Sequence, residues 1–169
     1  MGKRLFIIRH AEAENFGNST MLKDFDRNLT GRGISQSAKI GRFLKISEAK
    51  IDVFVSSSAA RAFQTAKFLL EQFNIEEDSI QIDENLYGGG PRAYLSCINR
   101  TSESLEAMAI FGHNPDISFF AEYLTSDDIQ GSMRKATIIE LNFEELTWKE
   151  VSSKSGSMVQ RIDVKELDT

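Results

Sequence analysis

Residues 5–13 of this 169-residue chain read LFIIRHAEA. The first four are a short apolar run, which the polar side chains of Arg9 and His10 close. A run of this length bounded by charged residues predicts a buried β-strand from Lys3 to Ile8. His10 therefore directly follows the carboxyl end of a strand, which is where ligands bind in open α/β sheets.

The rest of the chain alternates apolar runs with helical spacing. Apolar runs predict strands at Asp52–Val55, Gln81–Asp83 and Ala107–Phe111. Helical spacing predicts helices at Ile34–Leu44, Ala59–Phe73, Arg92–Arg100 and Asp116–Leu124. Thr137–Phe143 and Trp148–Val151 look like a closing hairpin, and Val159–Val164 looks like an edge strand. The alternation predicts a single α/β domain over residues 1–169, a three-layer α/β/α sandwich with a mostly parallel central sheet.

The composition is typical of a globular protein and argues against several function classes. Hydrophobic residues make up 41% of the chain and charged residues 27%. No stretch approaches the ~20 apolar residues that span a bilayer, and the start is too short and too charged for a signal peptide. We therefore expect a cytoplasmic protein with no membrane partner. The net charge is −5 and the Lys and Arg residues are dispersed, which argues against a nucleic-acid partner.

Both histidines of the chain, His10 and His113, directly follow predicted strands. Arg9 precedes the first, and Arg61 lies just past the second predicted strand, so three strand ends would bring these four residues together. A guanidinium group binds two oxygens of a phosphoryl group, whose charge spreads over three oxygens during transfer. Imidazole is a good nucleophile near pH 7 when neutral, and nearby guanidinium charge favours its neutral form. A histidine at a strand end is more often an ordinary loop residue, so the prediction of phosphoryl transfer depends on all four.

Four segments, in chain order, resemble the signatures of the histidine phosphatase (phosphoglycerate mutase-like) superfamily. They read RHAEA at 9–13, DFDRNLTGRG at 24–33, DVFVSS at 52–57 with RAFQTA at 61–66, and GHNP at 112–115. Ala11 stands where most of the superfamily has glycine, and this replacement is typical of its SixA-type phosphohistidine phosphatases. The resemblance covers the chain from Leu5 to about Leu124.

The resemblance implies a phosphoglycerate mutase-like fold and a role for each matched residue. His10 would be the nucleophile that becomes phosphorylated, and Arg9, Arg61 and His113 would hold the phosphoryl oxygens. Substrate-binding groups are implied at the positions of Asn15 and Ser57. No metal is expected, because two histidines without a carboxylate at ligand spacing make a poor site. No nucleotide cofactor is expected either, because residues 31–33 (GRG) lack a strand-Gly-x-Gly-x-x-Gly context.

The identity of the general acid bears on the substrate. Glu84 is either that acid or an exposed charge, and Gly88 stands where SixA-like sequences often carry glutamate. An alkoxide leaving group needs an acid, whereas imidazole, with a pKa near 6.5, leaves more easily. The short segment between the second predicted helix and His113 also predicts an open, shallow site.

Three functions remain open on the sequence. The leading one is hydrolysis of phosphohistidine on the phosphotransfer domain of a signalling or carrier protein. A phosphomonoesterase acting on a small phosphate ester is the second, and a catalytically inactive phosphoprotein-binding module is the third.

Overall fold

A computed structural model describes residues 2–15 and 23–168. Over these residues the strands are β1 (Lys3–Arg9), β2 (Val53–Ser56), β3 (Ile80–Ile82), β4 (Ala107–Gly112), β5 (Thr137–Phe143) and β6 (Ser157–Asp163). The α-helices are α1 (Gly31–Ile46), α2 (Ala60–Glu71), α3 (Pro91–Asn99) and α4 (Asp116–Leu124). Short 3-10 helices occur at Asp24–Asp26, Glu77–Ser79, Glu84–Leu86, Trp148–Glu150 and Val164–Asp168.

All six strands form one sheet in the order β3-β2-β4-β1-β5-β6. The first four are parallel to one another, and β5 and β6 continue the sheet in antiparallel fashion. The central strands β1 and β4 pair in register, with Arg9 opposite Gly112. The residues that follow these two strands therefore lie side by side at the carboxyl edge of the sheet.

Alternating side chains of β1 face two separate hydrophobic layers, as expected for a strand covered on both faces. Leu5 and Ile7 pack in a core that includes Tyr94 of α3 and Phe120 of α4. Phe6 and Ile8 pack in a second core that includes side chains of α1 and α2. This arrangement confirms the predicted three-layer α/β/α sandwich with a mostly parallel sheet.

The predicted closing hairpin is wrong in its second half. β5 pairs with Ser157–Asp163, and Trp148–Glu150 forms a 3-10 helix whose start is capped by Thr147 and Glu150 in a capping box. Trp148 is fully buried and its indole Nε1 donates a hydrogen bond to the Leu105 carbonyl at 2.6 Å. Trp148 therefore packs in the core that includes Tyr94 of α3 and Phe120 of α4, and its segment does not extend the sheet. The predicted edge strand at Val159–Val164 is confirmed over residues 159–163, which belong to β6, whereas Val164 begins a 3-10 helix.

No helix among the described residues is both long and apolar enough to span a bilayer.

Candidate active site

His10 and His113 meet at the carboxyl edge of the sheet. Each follows one of the two central strands, and the main-chain N–H of His10 donates to the Gly112 carbonyl at 3.1 Å. Their ring centroids are 5.4 Å apart, and the two residues are only 5% and 7% exposed. The pairing of β1 with β4 therefore brings together the two histidines that the sequence places about a hundred residues apart.

The hydrogen bonding of His10 leaves one ring nitrogen available for nucleophilic attack. Nδ1 lies 2.7 Å from the Ala11 carbonyl oxygen, and a carbonyl only accepts, so Nδ1 carries the proton. The lone pair of the neutral ring is then on Nε2. Burial is the main cause that lowers the pKa of His10 to about 3; the bond to Ala11 opposes it, and the charges of His113, Arg61 and Arg9 add to it. At neutral pH the ring is uncharged, which is the state a nucleophile requires.

His113 is held at both its ring and its main chain. Its Nε2 lies 2.8 Å from Oγ of the fully buried Ser57. Its main-chain N–H donates to Oη of Tyr94 at 3.0 Å. Burial, together with the charge of Arg61, lowers the pKa of His113 to about 4. The free protein therefore holds His113 neutral, and an anion bound beside it would favour its protonated form.

The two predicted arginines reach the same edge from different elements. Arg9 ends β1 and donates from Nη1 to the Met133 carbonyl at 2.9 Å, while Arg61 lies in the first turn of α2 and is 6% exposed. Burial lowers the pKa of Arg9, and the charge of Arg61 adds to this. Two guanidinium groups that repel each other are both stabilised when an anion binds between them.

Unsatisfied polar atoms are concentrated in this site. Over the described residues, three buried side-chain nitrogens lack a hydrogen-bond partner: Arg9 Nε, Arg61 Nε and His113 Nδ1. A buried donor without a partner costs about 1–3 kcal/mol, and such groups in folded proteins call for a specific explanation. All three belong to residues predicted from the sequence, and an oxyanion would satisfy them together.

Asp24 is a site residue to which sequence reasoning gave no role. Arg61 donates from Nη1 to its main-chain oxygen at 2.8 Å and from Nη2 to its Oδ2 at 2.9 Å. Tyr87 donates to the same Oδ2 at 2.7 Å, and Arg27 contacts Oδ1 at 3.0 Å. The Asp-x-x-Arg spacing of Asp24 and Arg27 in a family-like segment was the available signal, but it does not reveal that the carboxylate turns toward Arg61.

Asp24 is ionised in this arrangement. Burial alone would raise its pKa, but the hydrogen bond from Tyr87 and the charges of Arg61 and Arg27 bring it below the ordinary value. Its side chain is 53% exposed. The carboxylate thus acts as a counter-charge on Arg61 at the mouth of the site.

Tyr87 forms one wall beside the histidines. Its ring lies edge-on to His113 with centroids 5.6 Å apart, and the guanidinium carbon of Arg61 is 5.9 Å from its centroid. Burial and the neighbouring Asp24 raise the pKa of Tyr87, so its hydroxyl stays protonated and remains a donor.

Two other residues singled out in the sequence lie apart from this cluster. Asn15 is exposed and directly precedes residues 16–22, which are outside the described ranges. Its substrate-binding role stays a prediction.

Glu84 is exposed in the 3-10 helix Glu84–Leu86 and lines a groove with Asp83, Cys97 and Arg100. None of the four central site residues lines that groove. Cys97 itself is buried there, and burial raises the pKa of its thiol to about 12.

No cluster of three or more His, Cys, Asp or Glu side chains suited to a metal ion occurs within residues 2–15 and 23–168.

Comparison with known proteins gives one family and a consistent fold. Residues 5–87 match the family described as the histidine phosphatase superfamily (branch 1). An uncharacterized protein of Mycobacterium tuberculosis is 31% identical over 105 residues, which are 62% of this chain and 63% of that protein. The chain thus matches less than two thirds of the length of this relative.

Solved structures extend the likeness to nearly the whole chain. The protein histidine phosphatase SixA complexed with tungstate superposes with a TM-score of 0.80 at 20% identity, covering 98% of this chain and 99% of that one. A mycobacterial glucosyl-3-phosphoglycerate phosphatase superposes with a TM-score of 0.66 at 14% identity, covering 94% and 98%. At these identities the two structures establish the fold, which confirms the predicted phosphoglycerate mutase-like architecture.

Proposed function

Because residues 5–87 match the histidine phosphatase superfamily (branch 1), we propose that the chain belongs to this superfamily and is a phosphatase whose nucleophile is His10. We further propose that it is a SixA-type enzyme, which hydrolyses phosphohistidine on the phosphotransfer domain of a signalling or carrier protein. The observation that carries the proposal is the pairing of a neutral, buried His10 with three unpartnered nitrogens around it, Arg9 Nε, Arg61 Nε and His113 Nδ1. The nucleophile is complementary to an electrophilic phosphorus, and the three nitrogens are complementary to the charged oxygens around it.

The proposed reaction has two displacements at phosphorus. In the first, Nε2 of His10 attacks the phosphorus, the P–N bond to the substrate histidine breaks, and the departing imidazole takes up a proton from solvent. In the second, water attacks the phosphorus of phosphorylated His10 and gives up a proton to solvent, the new P–N bond breaks, and phosphate leaves. Arg9 and Arg61 hold the equatorial oxygens in both steps, and neither step calls for a cofactor.

The carboxylates support phosphohistidine over a phosphate ester. Glu84 lines a separate groove, and Asp24 is held ionised by Tyr87 and Arg61, so neither is poised to protonate an alkoxide. Imidazole, with a reference pKa of about 6.5, is a far better leaving group than an alkoxide. The greater similarity in fold to SixA than to the glucosyl-3-phosphoglycerate phosphatase agrees with this choice.

Trapping the phosphoenzyme tests the nucleophile. We expect rapid-quench mixing of the wild type with a phosphohistidine protein labelled with ³²P to place acid-labile, base-stable label on this chain. The label should be absent from His10→Asn, whose hydrolytic rate should fall by at least about 10³-fold. The matched control, His113→Asn, should retain label at a reduced rate. Full activity of His10→Asn would rule out the mechanism.

A substrate panel separates the three functions. We expect phosphohistidine proteins to be turned over with a higher kcat/KM than sugar phosphates and other alkyl phosphates. A preference for alkyl phosphates, together with a loss of turnover in Glu84→Gln, would instead establish the small-ester phosphatase. Tight binding of phosphoproteins with no turnover anywhere on the panel would establish the inactive binding module.

A further inference from the structure

Positive charge is concentrated in a pocket beside the site. This pocket of about 390 Å³ is lined by six basic residues, Arg9, Arg32, Lys39, Arg134, Lys135 and Lys165, and we call it the basic pocket. The chain as a whole has 20 Lys and Arg and a net charge of −5. Asp163 also lines the pocket, but its carboxylate accepts a hydrogen bond from Thr137 and pairs with Arg161 at 3.3 Å. The pocket is therefore a local basic region on an acidic protein.

Hydrogen bonds join both walls of the basic pocket to the segment that carries His10. On one side, the main-chain N–H of Ala136 donates to the carbonyls of Arg9 and His10 at 3.2 and 3.1 Å. Arg134 and Lys135 directly precede Ala136 and are exposed. On the other side, Gln36 of α1 accepts from the main-chain N–H of Glu12 at 2.9 Å. A group bound in the pocket thus lies at a fixed position relative to the nucleophile.

The basic groups are distributed along a surface. Arg32, Gln36 and Lys39 lie on one face of α1, and seven residues of helix extend about 10 Å. The Arg32 side chain is 77% exposed, with its Nε 4.0 Å from Oε2 of Glu12. Lys165 is exposed on the 3-10 helix that closes the pocket. Charges spread in this way match several carboxylates on a protein surface better than they match one phosphate group.

We propose that the basic pocket docks an acidic surface of the phosphohistidine-carrying protein and thereby presents its phosphohistidine to His10. The inference rests on the proposed function and names a property of its protein substrate, an acidic patch next to the phosphorylated histidine. Because both proteins are negatively charged, they repel each other in most orientations. The local positive charge beside His10 favours the orientation in which the acidic patch of the partner faces the basic pocket. Electrostatic complementarity of this kind raises association rates and falls with ionic strength.

Charge removal in the pocket tests the proposal. Arg134→Gln combined with Lys135→Gln is compared with wild type on two substrates, an acidic phosphotransfer protein phosphorylated with phosphoramidate and the free amino acid phosphohistidine. At low salt we expect kcat/KM for the protein to fall about tenfold, while kcat/KM for free phosphohistidine changes less than about twofold. At high salt the difference between the variant and wild type on the protein should shrink, because screening weakens steering.

The control removes the same charge elsewhere. Lys149→Gln combined with Lys154→Gln changes two exposed lysines outside the basic pocket and should leave kcat/KM unchanged on both substrates. Equal losses on both substrates would show that the pocket binds part of a small anionic substrate. No loss on either substrate would show that the pocket binds neither the protein nor free phosphohistidine. Each of these outcomes would overturn the docking proposal. If wild type hydrolyses neither form of phosphohistidine, the proposed function fails and the docking proposal fails with it.

Discussion

At the scale of single residues, the carboxylate of Asp24 competes with a phosphoryl substrate for the guanidinium group of Arg61. Its carboxylate accepts from Arg61 and from Tyr87, and the same guanidinium group is proposed to bind phosphoryl oxygens. A charged group in this position both fixes the orientation of Arg61 and repels an incoming anion. The balance between these two effects sets how tightly the free site binds an oxyanion.

Asp24→Asn separates orientation from repulsion. The asparagine oxygen can still accept from Arg61 and Tyr87, but the negative charge is gone. At a half-exposed position the removed repulsion is worth about 1 kcal/mol after solvent screening, so we expect tungstate to inhibit about fivefold more tightly. Asp26→Asn, an exposed neighbour in the same 3-10 helix, should leave the inhibition constant unchanged. Weaker inhibition in Asp24→Asn would mean that the carboxylate mainly positions Arg61.

Residue identity reveals the reacting groups more readily than it reveals their neighbours. Arg9, His10, Arg61 and His113 could be predicted because each closes a strand or opens the helix after one. Asp24 and Tyr87 could not, because their places depend on a loop and on a 3-10 turn that come together only in the folded chain. The tautomer of His10 likewise depends on the direction of the Ala11 carbonyl, which no sequence pattern specifies.

At the scale of elements, α3 supports the site without contributing a reacting group. Tyr94 is fully buried in α3, and its hydroxyl donates to the Leu86 carbonyl at 3.2 Å while accepting from the main chain of His113. A Cβ atom on Gly112 would lie 2.0 Å from that hydroxyl oxygen. The close approach of α3 to the end of β4 therefore requires glycine immediately before His113.

Tyr94→Phe removes the link between α3 and the site. The substitution leaves the Leu86 carbonyl and the His113 N–H buried without their partner, so we expect the free energy of unfolding to fall by about 1–3 kcal/mol. We also expect kcat to fall severalfold, because the backbone of His113 loses its anchor. Urea denaturation and steady-state kinetics measure the two effects. Tyr123→Phe, at a 43% exposed tyrosine of α4, serves as the control and should change neither; an unaltered kcat in Tyr94→Phe would show that β4 alone holds His113.

In the segment that follows β5, the local sequence pattern does not distinguish a strand from a buried turn. Residues 148–151 begin and end with an apolar side chain, which is compatible with a short strand, but Thr147 and Glu150 cap a 3-10 turn there. The apolar character of Trp148 reflects burial against the Leu105 main chain, a contact across more than forty residues. Strand and buried turn give the same local signal, and the partner of β5 is decided by which segment can reach it in register.

At the scale of the whole molecule, the two histidines bear on stability as well as on chemistry. The chain contains no others, so in folding equilibria they are the side chains that titrate between pH 5 and 6.5 by their reference pKa. In the folded protein, burial lowers their pKa values to about 3 and about 4. The unfolded chain, with ordinary values near 6.5, therefore binds more protons than the folded one throughout this window.

Because the unfolded state binds more protons, the free energy of unfolding falls as pH drops below 6.5, by up to about 1.4 kcal/mol per pH unit for each histidine. We expect the urea midpoint of wild type to decrease steadily from pH 6.5 to pH 5. His10→Asn should decrease about half as steeply, as should His113→Asn, and the double variant should be nearly flat there. A flat wild-type profile would show that the folded protein protonates these rings freely, and the neutral nucleophile proposed for the reaction would then not persist in mildly acidic solution.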